Sequence, residues 1–217
     1  MSAFPGSPRL LKGGLVLVDP DNGTVQKTIV LQYNPDTLTR SLQVQGVGEN
    51  ADRSEALRLR APPVETIKLE AEIDAADQLE VDDNLVKLYG IAPILSALET
   101  TIYPTVTQIK SNHADAEKGT LEIAPMETAL MLFVWSRQRT VPVRITELSV
   151  TEEAFDPALN PLRAKVNLGL RVLTVYDLGF TTSGNIYLAY QQNKEDLAIK
   201  ATAGASPSSL GFTRTPQ

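Results

Sequence analysis

Hydrophobic and polar positions alternate most regularly between Leu162 and Val172. Leu162, Ala164, Val166, Leu168, Leu170 and Val172 fall on one face, and Arg163, Lys165, Asn167 and Arg171 on the other. A period of two over that length predicts a half-buried strand in an antiparallel sheet. The preceding run alternates at Val141, Val143 and Ile145, then slips phase to Leu148 and Val150, as a β-bulge requires. Between the two, Asp156 to Pro161 predicts an irregular hairpin connection rather than a tight primed turn. Leu130 to Trp135 adds a third, apolar strand, so the stretch 130–175 is the predicted centre of the fold.

Upstream, Leu15 to Val18 and Thr24 to Gln32 predict a hairpin around the turn Asp19-Pro20-Asp21-Asn22-Gly23, with Val25, Ile29 and Leu31 on one side. Tyr33 to Asp36 predicts a bend, followed by a weaker strand near Leu42 and Val44. Glu65 to Ile73 alternates again, with Ile67, Leu69, Ala71 and Ile73 on one face. Helical spacing is confined to about 75–103, through Leu79, Leu85, Leu88, Leu95 and Leu98, with Gly90 and Pro93 dividing it in two. Residues 46–63 and 104–126 read as long polar loops. Tyr176 to Gly184 reads as a linker, and Ile186 to Ala201 as a short amphipathic helix with Leu188, Tyr190, Leu197 and Ile199 as its apolar members.

The expected fold class is therefore mainly β with one helical insert. The expected organisation is an extended lead-in over 1–10, one domain over 11–180, a C-terminal arm over 181–201 and a disordered tail over 202–217.

Composition narrows the function classes. Apolar residues make up 42% of the 217 positions, enough for a core. The formal charge of −6 speaks against a generic nucleic-acid footprint. Cysteine is absent, which excludes disulfides and thiolate metal sites. Neither an apolar signal core nor a membrane-length run is present, so the expectation is a soluble cytoplasmic protein.

Candidate chemistry is sparse. The single histidine, His113, has no nucleophile or metal partner at a defined spacing. Asp19, Asp21 and Gly23 resemble the start of a calcium loop, but the later ligands are missing. Phosphate-loop, nucleophile-elbow and zinc-protease motifs are absent. No catalytic, cofactor-binding or metal residues are expected. Two charge clusters remain. Glu65, Glu70, Glu72, Asp74, Asp77, Glu80, Asp82 and Asp83 are accompanied by Lys68 alone. They suit either a solvated face running into a helix start or an acidic contact surface. Arg137, Arg139, Arg144, Arg163, Lys165 and Arg171 crowd one antiparallel unit, either as its solvent face or as a face that meets acidic groups on another copy in a head-to-tail ring. Interface candidates are Trp135, Arg137, Arg139, Arg144, Asp156 and Asn160, with Trp135 read first as core.

Several motifs in order carry a family resemblance. They are Tyr33-Asn34-Pro35 followed by Leu38 and Arg40-Ser41; Phe133-Val134-Trp135; Pro142-Val143-Arg144; and Glu153-Ala154-Phe155-Asp156-Pro157-Ala158-Leu159-Asn160-Pro161 leading to Arg163-Ala164-Lys165-Val166. Together they resemble the tube-domain proteins of contractile injection systems, the phage tail-like particles, at the baseplate position where the inner tube joins the central spike. The resemblance spans most of 10–180. It implies a tail-tube-like fold of two packed antiparallel sheets in a barrel-like sandwich with a side helix. It also implies a homo-hexameric ring in contact with inner-tube, spike and other baseplate proteins, without enzymatic activity, nucleic-acid binding or membrane insertion. An inner-tube building block and a ligand- or glycan-binding β domain are the alternatives. Many relatives of that family carry a C-terminal LysM module, and residues 181–217 are too few to hold one.

Overall fold

Seven strands make one antiparallel sheet, in the order β2-β1-β5-β6-β7-β4-β3. They are β1 Gly14–Val18, β2 Val25–Val30, β3 Leu38–Gly46, β4 Leu59–Asp74, β5 Leu130–Ser136, β6 Arg139–Phe155 and β7 Pro161–Val172. The computed structural model describes residues 11–46, 58–80, 82–117 and 129–202, and all structural statements concern these. The lead-in over 1–10, the centre of the first polar loop, the end of the second and the tail over 203–217 lie outside them.

The mainly-β expectation holds, and the strand alternations decide the register. On β7, Ala164, Val166, Leu168, Leu170 and Val172 are buried. On β4, the buried set is Ile67, Leu69, Ala71 and Ile73. The phase slip in β6 is a real irregularity: Ile145 pairs with Leu170 and Glu147 with Gly169, leaving Thr146 extra. Its hydroxyl donates to the Gly169 carbonyl at 3.1 Å. A Cβ on Gly169 would stand 2.9 Å from the Glu147 Cβ, so the residue opposite the bulge has to be small.

The sheet is not closed into a barrel, and its strands do not divide into two sheets. Instead it curls, so that β1 and β2 face β4 and β7 across a cavity of about 240 Å³ lined by Leu15, Ile29, Leu31, Ala71, Val166 and Leu168. Where backbone pairing stops, a side chain takes over. The Gln32 amide donates to the Asp74 carbonyl at 2.7 Å and accepts from the Asp74 N–H at 3.0 Å, as a strand neighbour would.

The helical insert comprises three pieces rather than two: α1 Ala76–Glu80, α2 Asn84–Tyr89 and α3 Ala92–Glu99. Asp83 caps α2 through the Leu85 N–H, and Gly90 ends it at φ 57°. The expected leucine stripe is half right. Leu95 and Leu98 are buried together with Val86 and Ile91, whereas Leu79, Leu85 and Leu88 face solvent. Lys27 donates to the Ala97 carbonyl at 2.9 Å, placing a cation at the C-terminal end of α3.

Both expected polar loops shorten. β4 starts at Leu59, inside the first, and its pairing with β3 shifts register across Pro62 and Pro63, which lack an N–H to donate. The second contains α4, Val106–Glu117, which has no buried residue. Thr105 and Gln108 form its capping box: the Gln108 N–H donates to the Thr105 hydroxyl and the Thr105 N–H to the Gln108 amide oxygen. The expected linker forms α5, Val175–Leu178, and the arm forms α6, Thr182–Thr202. α6 packs along β6 and buries Tyr187 and Tyr190, its Ser183 hydroxyl donates to the Pro20 carbonyl at 3.1 Å, and Leu188, Leu197 and Ile199 are exposed, the opposite of the expected stripe apart from Tyr190.

Candidate assembly surfaces

β2 and β3 are the sheet edges, each with a single hydrogen-bonded neighbour among the described residues. β3 is exposed along almost its whole length, including Leu42 and Val44, and Val25 and Val30 are exposed on β2. Unpaired N–H and C=O groups beside exposed apolar side chains make a template for strand addition.

Beside β3, Glu65 is 3% exposed on the inner face of β4. Tyr190 of α6 donates its hydroxyl to Oε1 at 2.8 Å, and Lys194 donates to Oε2 at 2.7 Å. Arg40 of β3 lies 3.6 Å from Oε1 and donates to the Tyr190 hydroxyl at 3.3 Å. The Lys194 ammonium also sits 4.0 Å from the centre of the Tyr190 ring. Glu65 is therefore not part of an exposed acidic surface: it is the buried anchor that joins α6, β3 and β4.

The remaining acids divide between internal and outward roles. Asp74 accepts from both Nε and Nη2 of Arg163 at 2.7 Å. The Ala76 N–H, aided by Arg163, holds its carboxyl below the usual range against the opposing effect of burial. Asp77 accepts from the Tyr33 hydroxyl at 3.2 Å, and burial, followed by Asp77, raises the Tyr33 phenol. Asp82 pairs with Lys87, and Asp83 caps α2. Glu70 and Glu72 line an open groove with Tyr33, Asp36 and Asp77.

The basic cluster divides likewise. Arg163, Lys165 and Arg171 are paired within the chain to Asp74, Glu153 and Asp177. Arg137, in the β5–β6 turn, Arg139 and Arg144 have no ion pair among the described residues. Arg144 stands directly across from Arg171 in the β6–β7 ladder. Trp135 is half-buried, stacks on Phe133 with ring centres 5.9 Å apart and packs over Gly13, a core position rather than a free surface.

Asp156 and Asn160 tie the β6–β7 turn. The Asp156 carboxylate accepts from the Ala158 N–H at 2.7 Å, the Asn160 N–H at 2.8 Å and the Asn160 side-chain amide at 2.8 Å. Those bonds, the side-chain amide's first, lower the Asp156 carboxyl. The Asn160 amide also donates to the Leu88 carbonyl at 3.2 Å, and the Ile91 N–H to the Pro161 carbonyl at 2.8 Å, so the turn is docked on the end of α2. Leu159 occupies the left-handed position of this turn at φ 65° and is 79% exposed. Leu85, Leu88 and Phe155 are exposed as well. The sequence reading missed Leu159 and the partners of Glu65. The available signal for Leu159 was its place in Asp-Pro-Ala-Leu-Asn, where the left-handed site normally takes Gly or Asn.

His113 lies on the exposed surface of α4, 3.8 Å from Glu117. Among the described residues, no group of three or more His, Cys, Asp or Glu side chains is placed to hold a metal ion, and no helix is long and apolar enough to cross a membrane.

No family model and no curated protein matches this chain. A solved structure described as the tail of an empty GTA particle with C6 symmetry is similar to it at a TM-score of 0.30 and 10% identity, over 79% of this chain and 95% of that one. A likeness that slight decides neither fold nor role.

Proposed function

We propose that this chain is a non-enzymatic structural subunit of a contractile, phage tail-like injection particle, and that six copies form a baseplate ring joining the inner tube to the central spike. The observation that carries the proposal is the open sheet. β3 presents an exposed edge with Leu42 and Val44 on it, and β2 presents Val25 and Val30. A solitary domain protects such edges with charge, proline or a bulge, whereas a subunit of an assembly covers them with neighbours. The sequence motifs from Tyr33 to Val166 supply the kind of assembly. The named partners are further copies of the chain, the inner-tube protein, the spike protein and other baseplate proteins.

The proposal is tested by electron microscopy of particles carrying a labelled copy of this chain. One six-fold ring between tube and spike is the expected result. Label repeated along the whole tube would make the chain a tube building block, and a monomer associated with no particle would refute the proposal.

A further inference from the structure

We infer that copies of this chain join head to tail through the β6–β7 turn of one copy, seated in an apolar groove beside the β6 bulge of the next. The inference deepens the assembly reading above and rests on it for the closed ring, not for the contact itself.

The inserting element is the turn Asp156–Pro161. Leu159 holds an unfavourable left-handed backbone with its side chain turned out to solvent. Glycine would relieve that conformation, and nothing inside the subunit gains from the leucine. Leu88, 63% exposed, and Leu85, one helical turn before it, flank the site because the turn is bolted to α2 through Asn160 and Pro161. The turn carries its own acid beside this apolar tip: Asp156 keeps its negative charge while its carboxylate accepts the turn's hydrogen bonds. The element is rigid as well as exposed, since three hydrogen bonds to the Asp156 carboxylate fix it.

The receiving element is a groove of about 410 Å³ whose lining includes Ile102, Leu130, Val143, Ile145, Leu173 and Leu178. Its one charged lining residue is Arg144. Arg144 faces Arg171 across the ladder, a like-charge pair that costs stability unless neutralised. Asp177 neutralises Arg171 at 2.8 Å, and Arg144 is left with no acid among the described residues. An apolar side chain with a carboxylate beside it is the chemistry this groove accepts, and the β6–β7 turn carries both.

Tip and groove lie at opposite ends of one ribbon. From Ile145 to Phe155 the strand runs about 33 Å at the usual rise per residue. A copy cannot fill its own groove, and each copy offers one tip and one groove. Contacts of that kind are heterologous, and they close into rings or continue as filaments.

Cysteine crosslinking tests the contact, because the chain has no cysteine of its own. The expected result is that the double variant Leu159→Cys/Ile102→Cys gives, on mild oxidation, a ladder of covalent species beyond the dimer, while each single variant stays monomeric on a denaturing gel. A dimer from Leu159→Cys alone would mean a two-fold contact and overturn the inference. So would a folded double variant that forms no ladder. As a second measurement, Leu159→Gly, which relieves the backbone and leaves the fold intact, is expected to weaken self-association in sedimentation at least tenfold. Unchanged association would overturn the inference. Six-fold rings that form without the ladder would refute this contact and leave the tube-to-spike proposal standing. A ladder from a protein that joins no particle would do the reverse.

Discussion

Removing a partner of Glu65 should harm the protein more than removing Glu65 itself. The carboxylate is buried and has three donors around it, whereas Lys194 and Arg40 are each about one-third exposed and are able to turn to water. Tyr190→Phe deletes one hydrogen bond to a buried charge, worth roughly 1.5–3 kcal/mol. With Lys194 still 2.7 Å away the expected loss lies at the low end, about 2 kcal/mol. Lys194→Met keeps the aliphatic packing over Tyr190 and removes the nearest cation. Breaking a fully buried pair costs about 3–5 kcal/mol, and the solvent access of Lys194 reduces this to about 2 kcal/mol. Glu65→Leu removes the buried charge, leaves Lys194 and Arg40 free to turn to water and fills the site with apolar volume, but it strands the buried Tyr190 hydroxyl without its acceptor, so its expected cost is about 1 kcal/mol, still below that of losing either partner. Urea unfolding followed through the fluorescence of Trp135, the sole tryptophan, gives the global stability. Amide exchange along α6 gives the local one. A loss of about 2 kcal/mol corresponds to roughly thirtyfold faster exchange of α6, because that helix is held by few buried residues and is able to open by itself. If Glu65→Leu proves the most damaging of the three, or α6 exchange stays unchanged in Tyr190→Phe, the network does not anchor the helix and the reasoning fails.

Three further outcomes are expected. Gly90→Ala should lower stability by about 3 kcal/mol or more in the same urea titration. A Cβ at that positive φ collides with the Pro161 carbonyl that the Ile91 N–H needs. Leu159→Gly should instead raise the stability of the isolated subunit, by about 1 kcal/mol, measured by thermal unfolding at a dilution where copies are separate. Asp74→Asn should destabilise by under about 1 kcal/mol at pH 7, given the exposure of Arg163. The Asp74 carboxyl is lowered in the folded protein, so its contribution is present above the unfolded value near 3.9 and is lost as pH falls through the folded one. The difference between Asp74→Asn and the parent should therefore vanish in acid unfolding curves below that range; a constant offset down to pH 2 would contradict it.

The sequence displayed those parts of the fold whose cause is local. The alternations of β4 and β7, the slip at Thr146, and the breaks at Gly90 and Pro93 each depend on neighbours within a few residues, and each was legible. The helix α4 was missed because Val106 and Ile109 are its only large apolar members, although Thr105 and Gln108 spell its capping box. The face of α6 was misassigned because two stripes compete along it, and the sheet selects Tyr187 and Tyr190 over Leu188 and Leu197. The burial of Glu65 was illegible for a related reason: Tyr190 and Lys194 are far away in the chain, and without them a strand glutamate reads as solvent-facing. Among the interface candidates, Asp156 and Asn160 spend their polar atoms on holding the β6–β7 turn. The exposed group there is the intervening Leu159.

The strand order also dictates a timetable for synthesis. β1 has β2 for company as soon as both leave the ribosome, but its other neighbour, β5, is roughly a hundred residues downstream, and β4 waits about as long for β7. The local β5–β6–β7 meander, made late, is therefore the natural nucleus on which the earlier strands condense. Until it emerges, the apolar faces of β1 and β4 have only the helical insert to rest on, and a nascent chain stalled before residue 130 is the species most exposed to misassociation.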